Sequence, residues 1–429
     1  MTADGRPLLP PRSIGIAAFS TVVEWYDFTL YLYLSTVVAR VFFGDDQASL
    51  LTVLAGFAVS YMMRPIGAIA FARIGDRHGR RRMMLLSMAL MALAMLAIGL
   101  LPTRGQIGPA AGWALLFLRC VMAFSVGGEY TGVVAYLLEG APVRRRGLIT
   151  SLASASSEVG GLLAVGLSAL TVSLMTTAQL ESWGWRLPFL AGAVLAGVIL
   201  LVRTSLDESP DFRRQQAGGT VPSHPLRYSL ANYRAGIARG FAISALGSIT
   251  YYVGIAYVPA FLTSTGAMSE GHSLWLSTLA AFVVIAVTPA LGLLSDVIGR
   301  RPLLIGLAGI GVLVPASMFL MMGGGSMMQA MVGAVVLAAL GGGVSAVGAV
   351  ATAEQFRGEA RLSGLAFGAT MATAIFGGVT PWLAQWLIQR TQWAAVPGVM
   401  IAVTALCVLP VFVLMRETRP TGHGPAEGA

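Results

Sequence analysis

The sequence predicts an all-α membrane protein with about twelve transmembrane helices in two homologous six-helix halves. Of its 429 residues, 56% are hydrophobic and only 11% are charged, whereas about a quarter of the residues of a soluble domain are charged. Apolar runs of about 20 residues, the length that crosses a bilayer as a helix, follow one another from Ile14 to Met415. The chain is therefore expected to reside in a lipid bilayer.

The two halves are indicated by a repeated motif that combines an acid, a glycine and arginines between apolar runs. Four residues of the motif recur 220 positions later: Asp76, Gly79, Arg80 and Arg81 reappear as Asp296, Gly299, Arg300 and Arg301. An acid followed seven positions later by an arginine recurs as well: Glu139 and Arg146, then Glu354 and Arg361. Two parallel homologous halves in a membrane protein favour a secondary transporter.

The predicted spans divide the chain into an N-terminal half (1–204), a linker (205–235) with a possible short surface helix, a C-terminal half (236–415) and a tail (416–429). The spans lie at about 14–42, 48–72, 83–101, 110–138, 148–175, 185–204, 236–262, 272–295, 303–321, 328–352, 363–388 and 396–415. Most arginines fall in alternate loops, so the positive-inside rule predicts that both termini are cytoplasmic. We expect a protein that functions as a monomer.

Several classes of function are disfavoured. The net charge of +9 comes entirely from arginine and reads as a topology signal rather than a nucleic-acid site. Cys120 and Cys407 lie inside apolar runs without ligand spacing, so neither a disulfide nor a metal site is expected. The N-terminus lacks the pattern of a cleaved signal peptide, so the first span should be an uncleaved anchor. No enzyme motif and no cofactor site is recognisable.

The first span carries Glu24 and Asp27, which share one helix face at a spacing of three residues. At a rise of ~1.5 Å per residue both lie ~15–20 Å deep, near the middle of the bilayer. Charges at that depth are costly and are usually functional or paired. Two interpretations remain open for these acids: coupling to protons, or pairing with an arginine that only fixes helix packing.

Arginines in the second and fourth spans are assigned different roles. Arg119, at mid-depth in the fourth span, lies level with Glu24 and Asp27, and its planar fork of donors suits a carboxylate. We expect it to bind either a substrate carboxylate or a partner helix. Arg64 lies two or three turns from the end of its span, where an arginine can snorkel to the surface, so a structural role is expected. Glu129 lies ~15 Å from Arg119.

Glu158 is a further acid at mid-depth, in the fifth span, with packing and coupling as alternative roles. The spans of the second half carry almost no ionisable residues and offer hydroxyl groups and aromatic rings instead: Tyr251, Tyr252, Tyr257, Ser345, Thr370 and Thr373. This asymmetry predicts charge chemistry in the first half and recognition of shape in the second.

Ordered motifs along the whole chain resemble one known family. ARIGDRHGRRR at 72–82 and its copy GLLSDVIGRR at 292–301 look like the signature loop of the major facilitator superfamily. VVEWYDFTLY at 22–31, MRPIGA at 63–68, FSVGGEY at 124–130, WGWRLPF at 183–189 and LDESPDF at 206–212 resemble its metabolite:proton symporter group. That group includes carriers of α-ketoglutarate, citrate, shikimate, and proline or betaine. The chain departs from it at Glu158, where relatives often have glutamine.

The resemblance implies proton-coupled uptake of a small carboxylate-bearing metabolite across a bacterial inner membrane, with a proton-driven exporter as the alternative. Substrate binding is assigned to Arg119, Tyr251, Tyr252, Tyr257 and Thr373. Proton coupling is assigned to Glu24, Asp27, Glu129 and Glu158, with Glu24 and Asp27 favoured: a charged acid would hold Arg119, and a protonated one would free it for the substrate.

The repeated motif is expected to form a cytoplasmic gate, in which Asp76 and Asp296 cap neighbouring helices and pair with arginines. The expected gate residues are Asp76, Arg80, Arg81, Glu139, Arg146, Asp296, Arg300, Arg301, Glu354 and Arg361. Exposed ion pairs contribute only about 0–1 kcal/mol each, so a network is needed to bias one state.

Overall fold

The computed structural model describes residues 11–44, 47–78, 80–127, 129–204, 225–356 and 358–419. These residues are almost entirely helical, and they contain no β-strand. Their helices follow the order of the predicted spans, and we number the spans 1 to 12 accordingly.

Spans 1 to 6 form the first half. Their helices are Pro11–Tyr33 and Ser35–Phe42 in span 1, Gln47–Tyr61 and Met63–His78 in span 2, Arg80–Gly99 in span 3, Ala110–Ser125 and Glu129–Gly140 in span 4, Arg146–Leu174 in span 5, and Arg186–Thr204 in span 6. A π-helical turn, Leu180–Gly184, leads into span 6.

Spans 7 to 12 form the second half, after a short helix at Pro225–Asn232. Their helices are Arg234–Tyr251 and Val258–Ser264 in span 7, Glu270–Ile298 in span 8, Arg300–Leu313 and Pro315–Gly323 in span 9, Met327–Ala353 in span 10, Gly358–Thr373 and Thr380–Thr391 in span 11, and Val396–Leu414 in span 12.

The described helices agree with the predicted twelve spans. Eight are long and apolar enough to cross a bilayer singly, and the bent helix pairs of spans 7 and 9 raise the number to ten. Spans 1 and 4 complete the set. Each consists of two successive helices and carries two ionisable residues, Glu24 and Asp27 in span 1, Arg119 and Glu129 in span 4.

Bends in spans 7 and 9 occur where proline or π-helical turns interrupt regular hydrogen bonding. Span 7 bends by 45° after the π-helical turn Tyr252–Ala256, where Pro259 opens the next helix. Span 9 bends by 40° at Pro315. Span 11 contains the π-helical turn Ala374–Val379. The π-helical turns of spans 7 and 11 contact each other. Such turns often occur at functional sites.

The two halves contact each other mainly through spans 5 and 8 and through spans 2 and 11. Small residues allow the close approach of spans 5 and 8. A methyl group on Gly147 would lie 2.5 Å from the carbonyl oxygen of Gly292, so neither helix could carry a larger residue there without moving. We call the end where span 5 begins and span 8 ends the Asp296 end, and the opposite end the Arg40 end.

Candidate functional site

A cavity of about 140 Å³ lies between the two halves. Spans 1, 2 and 4 line it from the first half, and spans 7, 10 and 11 line it from the second. Its volume resembles that of an engineered protein cavity of ~150 Å³ that holds benzene. The position between the halves and the mixed polar and aromatic wall make it the candidate substrate site.

An ion pair between spans 1 and 2 supplies the charged part of the cavity wall. A guanidinium nitrogen of Arg64 lies 2.7 Å from a carboxylate oxygen of Glu24, and both side chains are buried. The guanidinium carbon of Arg64 lies 4.0 Å from the ring centre of Phe28 and 4.8 Å from that of Tyr61. The aromatic rings hold the guanidinium by cation–π contact. Arg64, which the sequence analysis assigned to structure, thus faces the cavity.

Aromatic rings from both halves form a second wall. The ring centre of Trp25 lies 5.0 Å from that of Tyr251, 5.8 Å from that of Tyr130 and 6.2 Å from that of Tyr252. The hydroxyl of Tyr252 is hydrogen-bonded to that of Tyr61, which joins span 7 to span 2 across the interface of the halves. These rings offer faces to which an alkyl or cationic group can bind.

Four polar atoms around this cavity have no hydrogen-bond partner in the described part of the chain. They are Oε2 of Glu24, the indole nitrogen of Trp25, Nε of Arg64 and the hydroxyl of Tyr251. Buried polar groups are nearly always hydrogen-bonded in folded proteins. Three of the four atoms can donate a hydrogen bond, and the carboxylate oxygen and the hydroxyl can accept one, so the wall suits a ligand that carries a carboxylate together with a cationic or donor group.

Hydroxyl groups of the second half complete the wall, as the sequence analysis expected. Ser345, Thr370 and Thr373 line the cavity together with Ser248, whose hydroxyl lies 3.1 Å from that of Thr373. Tyr251, Tyr252 and Thr373 are therefore the predicted substrate residues that reach the cavity.

Arg119 and Tyr257, the other two residues assigned to the substrate, are absent from the cavity wall. A guanidinium nitrogen of Arg119 lies 2.7 Å from a carboxylate oxygen of Asp27, and both side chains are fully buried. The hydroxyl of Tyr257 is hydrogen-bonded to Gln385. Arg119 lies beside span 1, as its estimated depth indicated. Its partner is Asp27 of that span and not a group in the cavity. Depth alone did not predict the direction in which the Arg119 side chain points.

The four acids assigned to proton coupling have four different environments. Glu24 faces the cavity, and Asp27 pairs with Arg119 behind it, so these two acids do not share one partner. Glu129 pairs with Arg203 of span 6 and accepts a hydrogen bond from Ser87 of span 3. Glu158 is buried and has no ion-pair or hydrogen-bond partner in the described part of the chain.

At the Asp296 end, one carboxylate of the second half caps a helix of the first. The two carboxylate oxygens of Asp296 accept hydrogen bonds from the backbone N–H groups of Gly147 and Leu148, in the first turn of span 5. The nitrogen–oxygen distances are 2.8 and 2.9 Å. A carboxylate is favoured there by the unpaired N–H groups and by the helix dipole. Arg300 lies 3.0 Å from Asp296 and 3.2 Å from Glu354, which joins span 9 to spans 8 and 10.

The other residues expected in the gate are only partly described. Arg301 donates its backbone N–H to Glu417, at 3.0 Å, and a side-chain N–H to the carbonyl of Val413. Arg146 lies within electrostatic range of Glu354. The side chains of Asp76, Arg80, Arg81, Glu139 and Arg361 lie outside the described residues. The gating role of the motif stays a prediction.

Replacing Asp296 by asparagine should favour separation of the halves at the Asp296 end. Asparagine keeps the size but loses the charge and one acceptor, and helix caps contribute about 1 kcal/mol, equivalent to roughly fivefold in an equilibrium. Faster reaction of a cysteine placed at Ser151 with a polar thiol reagent, in a variant without Cys120 and Cys407, would measure the change. Glu417→Gln is the matched control, because Glu417 caps span 9 within its own half. Equal reactivity in both variants would contradict the prediction.

The Arg40 end has a charged cluster that the sequence analysis missed. Arg40 of span 1 lies 2.7 Å from Glu181, before span 6, and 2.9 Å from Glu270, at the start of span 8. Glu270 also accepts a hydrogen bond from Thr36. The cluster joins the halves at the rim of a second cavity of about 510 Å³, whose wall includes Arg40 and Gln385. The sequence indicated this cluster only through the presence of charged residues at the ends of spans. The pairing itself could not be predicted, because the partners are 141 and 230 residues from Arg40.

No three His, Cys, Asp or Glu side chains come close enough to ligate a metal ion in the portion of the chain that is described.

Comparison with known proteins gives matches over nearly the whole chain. Residues 14–220 match the family model described as "Sugar (and other) transporter", and residues 240–429 match that of the "Major Facilitator Superfamily". The Alpha-ketoglutarate permease of Escherichia coli (strain K12) is 34% identical, over 86% of this chain and 85% of its own length. The Proline/betaine transporter of the same strain is 29% identical, over 97% and 85%.

Two further similarities agree with these matches. The Citrate-proton symporter of Klebsiella pneumoniae is 30% identical, over 90% of this chain and 87% of its own length. Among solved structures, the partially occluded inward open conformation of the xylose transporter XylE from E. coli superposes with a TM-score of 0.74, at 17% identity, over 96% of this chain and 98% of XylE. The likeness to XylE is one of fold.

Proposed function

Because this chain belongs to the major facilitator superfamily, we propose that it is a proton-coupled transporter that takes up a small carboxylate-bearing metabolite by alternating access. The relatives are transporters, and their names include a proline/betaine transporter, an alpha-ketoglutarate permease and a citrate-proton symporter. The chain itself is a multi-pass membrane protein. We further propose that it works as a monomer in a bacterial inner membrane, with both termini in the cytoplasm.

The observation that carries the proposal is the Arg64–Glu24 pair in the wall of the central cavity. Arg64 offers an always-charged, forked donor suited to a carboxylate, and its Nε has no partner among the described residues. Glu24 offers an equal negative charge 2.7 Å away. We propose that the substrate carboxylate binds Arg64, a role that the sequence analysis gave to Arg119.

The charge balance of the wall favours a zwitterion over a di- or tricarboxylate. Arg64 and Glu24 are the only charged residues in the described wall, so the wall offers one cation. A zwitterion would place its carboxylate on Arg64 and its cationic group on the faces of the Trp25 and Tyr251 rings. A second carboxylate would find no second cation in the described wall.

Contacts at both ends support alternating access. Asp296 joins the halves at one end, Arg40 and Glu270 join them at the other, and the cavity lies between. We propose that the contacts at the Asp296 end and those at the Arg40 end break in turn, so that the cavity opens to one side of the membrane at a time.

We propose that Glu24 couples proton binding to substrate binding. When its carboxylate is charged it holds Arg64, and when it is protonated Arg64 is released to the substrate carboxylate. The sequence analysis proposed the same competition between a proton and an arginine for the acid, but with Arg119 in place of Arg64. Asp27 and Arg119 form a second acid–arginine pair one turn away, outside the cavity.

Reconstituted vesicles provide the test. We expect vesicles with an acidic exterior to accumulate labelled proline or betaine, with weaker uptake of α-ketoglutarate or citrate, and to take up protons at the same time. Glu24→Gln should accumulate less substrate for the same pH gradient but keep exchange of labelled for unlabelled substrate. Accumulation only in vesicles with an acidic interior, where protons leave as the substrate enters, would indicate the exporter instead. Failure of all four compounds to move would reject the substrate class.

A further inference from the structure

Glu158 differs from every other membrane acid that the structure describes. Glu24, Asp27 and Glu129 each pair with an arginine, and the acids at the two ends contact Arg40, Arg300 or backbone N–H groups. Glu158 is buried in the middle of span 5, and no described residue pairs with it or donates a hydrogen bond to it.

The helices packed around Glu158 bring only neutral groups to it. The tyrosines within its electrostatic range are Tyr33 of span 1, Tyr130 of span 4 and Tyr251 of span 7. Span 10 has no ionisable residue in its length, and those of span 8 lie near its ends, at Glu270, His272 and Asp296. A buried carboxylate without a cation costs many kcal/mol, so a group in these surroundings becomes neutral by binding a proton.

Tyr251 connects this acid to the substrate cavity. Its ring lines the cavity, and its hydroxyl has no hydrogen-bond partner among the described residues. The same hydroxyl packs against the turn of span 5 that carries Glu158: a methyl group on Gly161, three residues further on, would lie 3.2 Å from it. Tyr251 therefore lies against both the cavity and the turn of span 5 that carries Glu158.

From this geometry we propose that Glu158 is a second proton-carrying site, additional to Glu24, which raises the ratio of protons to substrate from one to two. While the contacts at both ends hold the halves together, the carboxyl of Glu158 keeps its proton. When one end opens and water reaches the turn of span 5, the O–H proton passes to water and the carboxylate remains, so charge and atoms balance. The inference rests on the proposed proton symport, and it is specific to Glu158 because the other described acids already have cationic or backbone partners.

The ratio of protons to substrate tests the proposal. In vesicles with a tenfold proton gradient and no membrane potential, two protons per zwitterion support about 100-fold accumulation at equilibrium, and one proton supports about 10-fold. We expect about 100-fold for the natural protein, about 10-fold for Glu158→Gln, and about 100-fold for Glu158→Asp, which keeps a titratable group. Ser157→Ala, on the same turn, serves as the matched control and should keep the two-proton ratio.

Infrared spectroscopy gives a readout that does not depend on transport. A protonated carboxyl has a carbonyl stretch separate from that of a carboxylate, so the spectrum of the purified protein should lose one such band in Glu158→Gln and keep it in Ser157→Ala. An unchanged band, or an unchanged proton ratio in Glu158→Gln, would overturn the inference. Absence of proton movement in the natural protein, with the band still lost in Glu158→Gln, would reject the symport but retain the proton site.

Discussion

Replacing Arg64 by lysine is expected to weaken substrate binding by 10- to 100-fold. Lysine keeps the positive charge but loses the planar fork and the stacking on Phe28. A hydrogen bond to a charged group contributes ~1.5–3 kcal/mol, and each 1.4 kcal/mol corresponds to about tenfold in affinity. Calorimetric titration of the purified variant with the compound that the vesicle assay shows to be transported best would measure the loss.

Arg119→Lys is the comparison that separates the two candidate arginines. Arg119 is buried against Asp27 and does not reach the cavity wall, so its conservative replacement should change affinity by less than the replacement of Arg64. Both variants keep the net charge of the protein. If Arg119→Lys loses binding and Arg64→Lys retains it, the substrate carboxylate must be assigned to Arg119, as the sequence analysis first expected.

Replacing Asp27 by asparagine is expected to lower stability by about 3–5 kcal/mol, because the charge of Arg119 then has no partner in a fully buried position. The midpoint of thermal unfolding in detergent measures the change, with unfolding monitored as the loss of monodisperse protein. Arg119→Met should be destabilising for the same reason, since it leaves the carboxylate of Asp27 buried alone.

The double variant Asp27→Leu with Arg119→Met distinguishes a stabilising pair from a functional one. Replacing both members of a buried ion pair with apolar residues is often neutral or stabilising, so the double variant should unfold near the temperature of the natural protein. Asp27 could then be assigned to transport or to packing from the rate of uptake alone. A double variant as unstable as the single ones would contradict the buried-pair explanation.

Much of the fold was determined by local properties of the sequence. The length and apolarity of the runs predicted twelve spans, because a helix must satisfy its backbone hydrogen bonds within the bilayer whatever its neighbours are. The 220-residue repeat predicted the two halves, and the comparisons confirmed the superfamily. The bends of spans 7 and 9 lie at proline-containing positions. The π-helical turn of span 7 depends on packing and was not foreseen.

The sequence predicted the site only in part. Arg64 is an example, because its contact with Glu24 was not predicted. Its depth of two or three turns overlapped that of Glu24, and this overlap was the one available indication that the two residues meet. Depth along a helix follows from residue number at ~1.5 Å per residue. The direction of a side chain also depends on how the whole helix is rotated against its neighbours, and sequence position alone does not supply that rotation.

The sequence by itself determined that this chain spans a membrane in two related halves, and it predicted that charge chemistry lies in the first half and that Glu158 is unusual. Only the tertiary structure decided that Arg64 faces the cavity while Arg119 turns to Asp27, that Arg40 joins the two halves, and that Glu158 lacks a partner among the described residues. The physical reason is that hydropathy acts on each helix separately, whereas an ion pair requires two helices, here 40 to 230 residues apart, to approach at one depth and one rotation.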